Sequence, residues 1–258
     1  MVISPQTLFT GRQLVWLPEC ASTNSEAQTL LGQNRASEGC TIITDFQTSG
    51  RGQRGNTWEA APGENLTLSV VWQPTFLAAS QQFLLSQAVA LGLHDWAQTL
   101  LGPDPKLKVK WPNDLYFGQQ KLAGILIENA LNGAKIQHSI VGIGININQQ
   151  QFGHGAATSF SLLTGRFYSR EELAARLLEC LERRYLQLRA GQVGALRSAY
   201  LQALYRYQEE QPYEVAGRRV SGQIVGVEED GRLALSIGGE LRRFALQEIR
   251  YLPAGSAV

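Results

Sequence analysis

Residues 66–72 alternate apolar Leu66, Leu68, Val70 and Trp72 with Thr67 and Ser69, and a repeat of two predicts a half-buried strand. Similar reasoning places strands at residues 11–17, ending before Pro18, and at 41–46, where Thr41-Ile42-Ile43-Thr44 leads into Asp45-Phe46. At 140–148, Val141, Ile143, Ile145 and Ile147 share one face, Gly142 and Gly144 leave the other bare, and Asn146 and Asn148 follow in phase. A face stripped to glycine marks close approach by a ligand or by another part of the chain, and both readings stand. Two short strands flank the turn Pro112-Asn113-Asp114, Gly118 marks the next turn, and an apolar run follows Lys121.

Helical spacing replaces alternation between 80 and 100, where Leu85, Val89, Gly92, Trp96 and Leu100 predict a helix packed across the sheet. Ser22-Thr23-Asn24-Ser25-Glu26 has the composition of a helix start, with Ser22 or Thr23 as cap, and three small hydrogen-bonding side chains there can also surround a compact polar group. Residues 149–165 read as a polar loop. Ser169 with Glu172 forms a capping box before a stripe of Leu173, Leu177, Leu181 and Leu188, with Glu171, Arg176, Glu179, Glu182 and Arg183 on a solvated face. A further helix carries Val193, Leu196, Tyr200, Leu204 and Tyr207.

The pattern changes at Pro212. Short strands are expected at 213–215, 224–227, 233–237 and 242–246, with hairpin turns at Asp230-Gly231 and Gly238-Gly239, as in a small barrel packed on the main unit. The order of elements therefore gives an α/β (α+β) chain of two units, residues 1–210 and 211–258.

Composition narrows the chemistry. Of 258 residues 44% are hydrophobic, enough for a sizeable core, and 23 basic against 22 acidic residues give a net charge of +1. Nothing in that balance calls for a nucleic-acid or membrane partner, so any anion recognition is local. Cys20, Cys40 and Cys180 are widely spaced, without the spacing of a zinc site, and fit a reducing cytoplasm better than a disulfide framework. His94, His138 and His154 are scattered too, and no apolar run approaches the roughly 20 residues of a membrane span.

Candidate chemistry concentrates in Thr48-Ser49-Gly50-Arg51-Gly52-Gln53-Arg54-Gly55-Asn56-Thr57-Trp58, a loop whose bare backbone and arginines suit an anion. Gly50, Gly52 and Gly55 fit the dinucleotide spacing, but Thr57, Trp58 and Pro62 stand where its helix would begin, and the Walker lysine is absent. Lys121 beside Gly124 is a second cation next to open backbone. With no Ser/His/Asp set or metal cluster in the sequence, these groups suit electrostatic stabilisation of phosphoryl or acyl-phosphate chemistry rather than nucleophilic catalysis by the protein.

In Ser22-Thr23-Asn24, Gln47 through Trp58, Lys110-Trp111-Pro112-Asn113-Asp114, Lys121-Leu122-Ala123-Gly124-Ile125-Leu126 and Gly142-Ile143-Gly144-Ile145-Asn146, taken in order, the chain resembles the biotin protein ligases. The resemblance implies a class II synthetase-like catalytic domain over 1–210 and an SH3-like β-barrel over 211–258. It implies that biotin and ATP give biotinyl-5′-AMP and pyrophosphate, and that biotin then passes to a lysine of a biotin carboxyl carrier protein. Biotin would meet Ser22, Thr23, Asn24, Gln47, Gly50, Arg51 and Gly124. The adenylate would meet Arg51, Gln53, Arg54, Asn56, Trp58, Lys121 and Asn146. Lys121, Arg51 and Asp114 would carry catalysis, and Mg²⁺ would arrive with ATP, with no tightly bound protein metal.

Two departures stand out. Gln53 and Asn56 occupy positions where the family loop commonly has arginine, which weakens the electrostatic grip on an adenylate. Some relatives also carry an N-terminal DNA-binding domain, whereas this sequence enters the catalytic pattern almost at once, so no nucleic-acid partner is expected. The resemblance is compatible with a monomer or a homodimer. The alternatives are a lipoate or octanoate ligase and a catalytically silent biotin-sensing regulator.

Overall fold

The computed structural model describes residues 4–153 and 155–253; His154 and the side chain of Arg54 lie outside the described part. One mixed sheet has seven strands: Leu14–Leu17 (β1), Thr41–Thr44 (β2), Leu66–Trp72 (β3), Leu107–Lys110 (β4), Asp114–Phe117 (β5), Gln120–Asn132 (β6) and Lys135–Ile145 (β7). Their order is β1-β2-β3-β7-β6-β5-β4, with β1 and β2 parallel and every other pair antiparallel. The helices are Thr23–Gly32 (α1), Gln82–Leu101 (α2), Phe160–Thr164 (α3), Arg170–Arg189 (α4) and Val193–Ala203 (α5).

Strand β3 departs from the half-buried expectation, because all of its residues are buried. Leu66, Leu68, Val70 and Trp72 join the main core with α2, while Val71 packs with Ala27 of α1 in a smaller cluster on the other face. Ser69 meets the side chains of Thr23 and Asn24 on α1. The main core is closed by helix packing. Gly92 lets α2 approach α4, since a Cβ there would lie 2.9 Å from the Leu181 Cα. Trp96 Nε1 donates to Leu173 O at 3.1 Å across the same contact.

Three further expectations change. Residues 149–165 contain α3, begun by Ser159, whose hydroxyl accepts from Leu162 N, and ended by Gly165 at φ 70°. Helix α5 stops at Ala203 instead of continuing to Tyr207, because Leu204 turns extended and bridges to Val109 of β4. Glu182 is not on a solvated face: it is buried in α4 and accepts from the amides of Leu8, Phe9 and Thr10 at 2.6, 3.0 and 2.8 Å. Three backbone donors satisfy that carboxylate and bind the segment before β1 to the helix.

The C-terminal unit is a five-stranded antiparallel sheet of Glu210–Val215 (β8), Arg218–Val227 (β9), Leu233–Ile237 (β10), Glu240–Phe244 (β11) and Ile249–Tyr251 (β12), in the order β11-β10-β9-β8-β12. This is the SH3-like sheet expected after the change of pattern, with β12 added and the strand at 242–246 shifted to 240–244. Gly231, at φ 88°, brings its turn onto α2, where a Cβ would lie 2.8 Å from a Phe83 ring atom. Its carbonyl accepts from Trp111 Nε1 at 2.9 Å. No helix of the described residues is long and apolar enough to cross a membrane.

Candidate active site

The floor of the cleft is built where α1 meets the centre of the sheet. Ser22 occupies the N-cap position of α1, but its hydroxyl makes no capping bond and lines the cleft instead. Thr23 N donates to Gln47 Oε1 at 2.9 Å, which fixes the side chain at the start of the glycine loop. Ser69 Oγ on β3 lies 2.7 Å from Thr23 Oγ1 and 2.6 Å from Asn24 Oδ1. These polar atoms are buried yet mutually bonded, so their positions are set before any ligand arrives.

The bare face of β7 is covered by the chain itself. A Cβ on Gly142 would lie 2.4 Å from Asn24 Oδ1, and one on Gly144 would lie 2.3 Å from Cε2 of Trp58. Trp58 reaches that place because the loop closes on itself: Trp58 N donates to Gly50 O at 3.0 Å and Gly52 N to Asn56 O at 2.7 Å. Gly50 lacks a side chain because Trp58 O would stand 2.3 Å from its Cβ. The indole leaves the cleft a cavity of only about 50 Å³. Small-molecule sites usually offer several hundred Å³, so Trp58 occupies space that a nucleotide adduct would need.

At the other end of the cleft Lys121 Nζ pairs with Asp114 Oδ1 at 2.8 Å. The pair follows from strand register, since Asp114 faces Gly124 and Tyr116 faces Lys121 across β5 and β6. Lys121 also stands 5.7 Å from the Trp58 ring, within reach of its π-face. Lys110 faces Asp114 across β4 and β5, and burial holds its ammonium below the usual lysine range, with Asp114 opposing that shift. Lys110 Nζ donates to Tyr116 Oη at 3.2 Å and lies 5.0 Å from the Tyr251 ring, so the C-terminal unit reaches β4, the neighbour of the strand that carries Asp114.

Ser22, Thr23, Asn24, Gln47, Arg51, Gln53, Trp58, Asp114, Lys121 and Gly124 all line this one cleft, and Gly50 supports it from beneath Trp58. Asn56 does not reach it: the side chain is exposed and its carbonyl pairs with Gly52. Asn146 is buried, donates to Thr158 O at 3.0 Å, and lines a second pocket of about 340 Å³ beyond Trp58 and Lys121. The side chain of Arg54 is outside the described residues. Sequence reasoning missed Ser69, which looked like the outer face of β3, and Glu128, which pairs with Arg51 at 3.1 Å. Asn113 lines the cleft too, its amide donating to Ile125 O. The described residues hold no group of three His, Cys, Asp or Glu placed to bind a metal.

The arrangement offers two cations, one carboxylate and a set of fixed neutral dipoles around one cleft, with the Trp58 ring against Gly144. Such a set can gather two anions and offset charge that develops between them.

The sequence matches the model of the biotin/lipoate A/B protein ligase family over residues 17–146. It is 32% identical over 186 residues to a bifunctional ligase/repressor of Bacillus spizizenii, covering 70% of this chain and 56% of that protein. The chain thus spans little more than half the length of that relative. It is 31% identical to a biotin–[acetyl-CoA-carboxylase] ligase of Mycobacterium tuberculosis, covering 88% of this chain and 85% of the other. With the ligase of that name from Paracoccus denitrificans it shares 32% identity over 83% of this chain and 90% of the other. Among solved structures, the biotin protein ligase of Aquifex aeolicus in complex with biotin and ATP superposes with a TM-score of 0.77 at 24% identity, covering 93% of this chain and 100% of that one.

Proposed function

The chain belongs to the biotin/lipoate A/B protein ligase family, and from that premise we propose that it is a biotin protein ligase. In the first step a biotin carboxylate oxygen attacks the α-phosphorus of ATP, giving biotinyl-5′-AMP and releasing pyrophosphate. In the second, the amine of a carrier lysine attacks the acyl carbon, AMP leaves, and the new amide nitrogen gives up its proton.

The observation that carries this reading is the ion pair of Lys121 and Asp114 at one end of a cleft whose other end presents Ser22, Thr23 and Asn24. The polar end suits a ureido ring, which both donates and accepts hydrogen bonds. Between the two ends, Arg51 and Lys121 offset the repulsion between carboxylate and α-phosphate as they approach, and Lys121 also offsets charge growing on the phosphoryl oxygens. Asp114 holds the Lys121 ammonium and is placed to receive a proton from the incoming amine. Trp58 withdraws from Gly144 to admit the adenosine side, and Asn146 in the adjoining pocket supports adenine. Mg²⁺ enters with ATP, held by phosphates and water.

We assign substrate binding and catalysis to residues 1–210 and treat 211–258 as the accessory SH3-like unit, with the biotin carboxyl carrier protein as partner. The test is transfer of label to an isolated biotin carrier domain, with biotin or lipoate, each with and without Mg-ATP. Transfer with biotin and Mg-ATP alone supports the proposal. Transfer of lipoate, or none with biotin, overturns it.

A further inference from the structure

Resting on that reading, we infer that Glu128 is a positioning residue, which orients the Arg51 guanidinium toward the substrate carboxylate and ties it to the floor of the ureido end. Glu128 stands outside the cleft on β6, and its Oε2 atom has two partners from different parts of the chain. It accepts from Asn24 Nδ2 at 2.6 Å and from Arg51 Nη2 at 3.1 Å. Glu128, a carboxylate that can only accept, takes the amide nitrogen of Asn24, which leaves Asn24 Oδ1 to accept from Ser69 Oγ at 2.6 Å. A continuous polar relay therefore runs Ser69, Asn24, Glu128, Arg51, from the buried centre of β3 to the glycine loop.

The loop itself does little to place Arg51. Its glycines raise the cost of ordering it, and Arg51 is bound to the rest of the loop through a backbone bridge with Thr57. Glu128 takes one edge of the guanidinium and leaves the donors on the other edges for a ligand. The anchor is firm because the same carboxylate holds Asn24, and it leaves the arginine reachable because the pair is half exposed, at 44% and 38%.

The substitution Glu128→Gln separates orientation from fold. A glutamine carbonyl in the place of Oε2 can still accept from both Asn24 and Arg51 but carries no charge, so Asn24 stays held while the ion pair to the arginine is lost. The experiment is calorimetric binding of biotin and of the analogue whose carboxylate is replaced by a hydroxymethyl group, to wild type, Glu128→Gln, Arg51→Gln and the double variant. Glu128→Gln is expected to weaken biotin by roughly threefold to fivefold, the size of a half-exposed ion pair, and to leave the alcohol within about twofold. In the Arg51→Gln background it is expected to change neither ligand further.

Equal weakening of both ligands would mean Glu128 only supports the fold, and unchanged biotin binding would mean it does not orient Arg51; either overturns the inference. Glu128→Ala, followed by thermal melting, separates unfolding from loss of orientation, since it also releases Asn24 and is expected to weaken the alcohol as well; if it leaves the alcohol unchanged, the relay through Asn24 is overturned. Wild type that binds neither ligand would overturn the ligase reading, and this inference with it.

Discussion

The indole of Trp58 fills the space that a side chain at Gly144 would need, with Cε2 and Nε1 at 2.3 and 2.5 Å from the position of a Cβ. Its Nε1 is buried and has no hydrogen-bond partner among the described residues, an arrangement that costs energy and favours release into a polar setting. Gly144→Ala is expected to expel the ring into solvent and to lower stability by about 1–3 kcal/mol, the usual range for overpacking. Tryptophan emission should shift to the red in Gly144→Ala, and the shift should vanish when Trp58→Phe is added. An unchanged spectrum would show that the ring accommodates the methyl group in place.

Gly142→Ala is expected to behave differently, although it adds the same methyl group on the same strand. Its clash is with Asn24 Oδ1, at 2.4 Å, and Asn24 is held by both Ser69 and Glu128. A loop residue can leave; an amide held at both its oxygen and its nitrogen cannot. Thermal melting should show a larger loss than for Gly144→Ala, together with loss of biotin binding measured by calorimetry. A smaller loss than Gly144→Ala would contradict the rigidity assigned to Asn24.

The two glycines also show how far the sequence could be read. Alternation exposed the bare face of β7 correctly, but not what covers it, because the covering residues lie more than eighty positions away in sequence. Thr67 and Ser69 looked solvent-facing because alternation records polarity and not burial; both are buried, and α1 offers Thr23 and Asn24 as partners to Ser69. Glu182 and Glu128 were invisible for a related reason. A carboxylate on a polar face reads as solvated until the chain brings it backbone amides or an arginine. Helix α3 and strand β12 are too short for any period to register. The motifs that converge on the cleft were legible because each is local, and only their convergence needed the fold.

Lys121→Met is expected to slow adenylate formation by about 10² to 10³, the range for removing one donor from a site of developing charge. The Lys121–Asp114 pair is partly exposed, at 33% and 21%, so stability should change by no more than about 1 kcal/mol. Biotin-dependent pyrophosphate release reads the first effect and thermal melting the second. A large loss of stability with unchanged pyrophosphate release would make the pair structural.

Lys110 gives a signed pH dependence. Burial lowers its folded value below the unfolded 10.5, so between the two the unfolded chain binds more protons. The penalty for the charged lysine is fully present below the folded value, and stability rises with pH through that window. Lys110→Met removes the term, so the stability of wild type relative to the variant should climb as pH rises from neutrality. Comparison is cleanest below pH 10.0, where unfolded tyrosine begins to ionise and the buried Tyr116, whose value is raised by burial, adds the opposite slope. Chemical denaturation at several pH values measures it, and a flat difference would remove the lysine term.

Gln53 sits where the cleft opens toward a groove between α2, the Pro112 turn and the Gly231 turn of the C-terminal unit, and it lines both spaces. On the ligase reading, an adenylate that escapes early must pass this side chain, which offers hydrogen bonds but no charge. Gln53→Arg would add a guanidinium beside the phosphoryl group in a half-exposed position, worth about 0.5–1 kcal/mol by the measure of exposed ion pairs. The intermediate should then be retained about twofold to fivefold longer in rapid-quench experiments without carrier. Transfer to the carrier should slow by no more than that factor, because the arginine grips the ground state and leaves the attack of the lysine untouched. Equal retention in wild type and variant would mean that the loop holds the adenylate through its backbone and Arg51, and that the glutamine carries no cost.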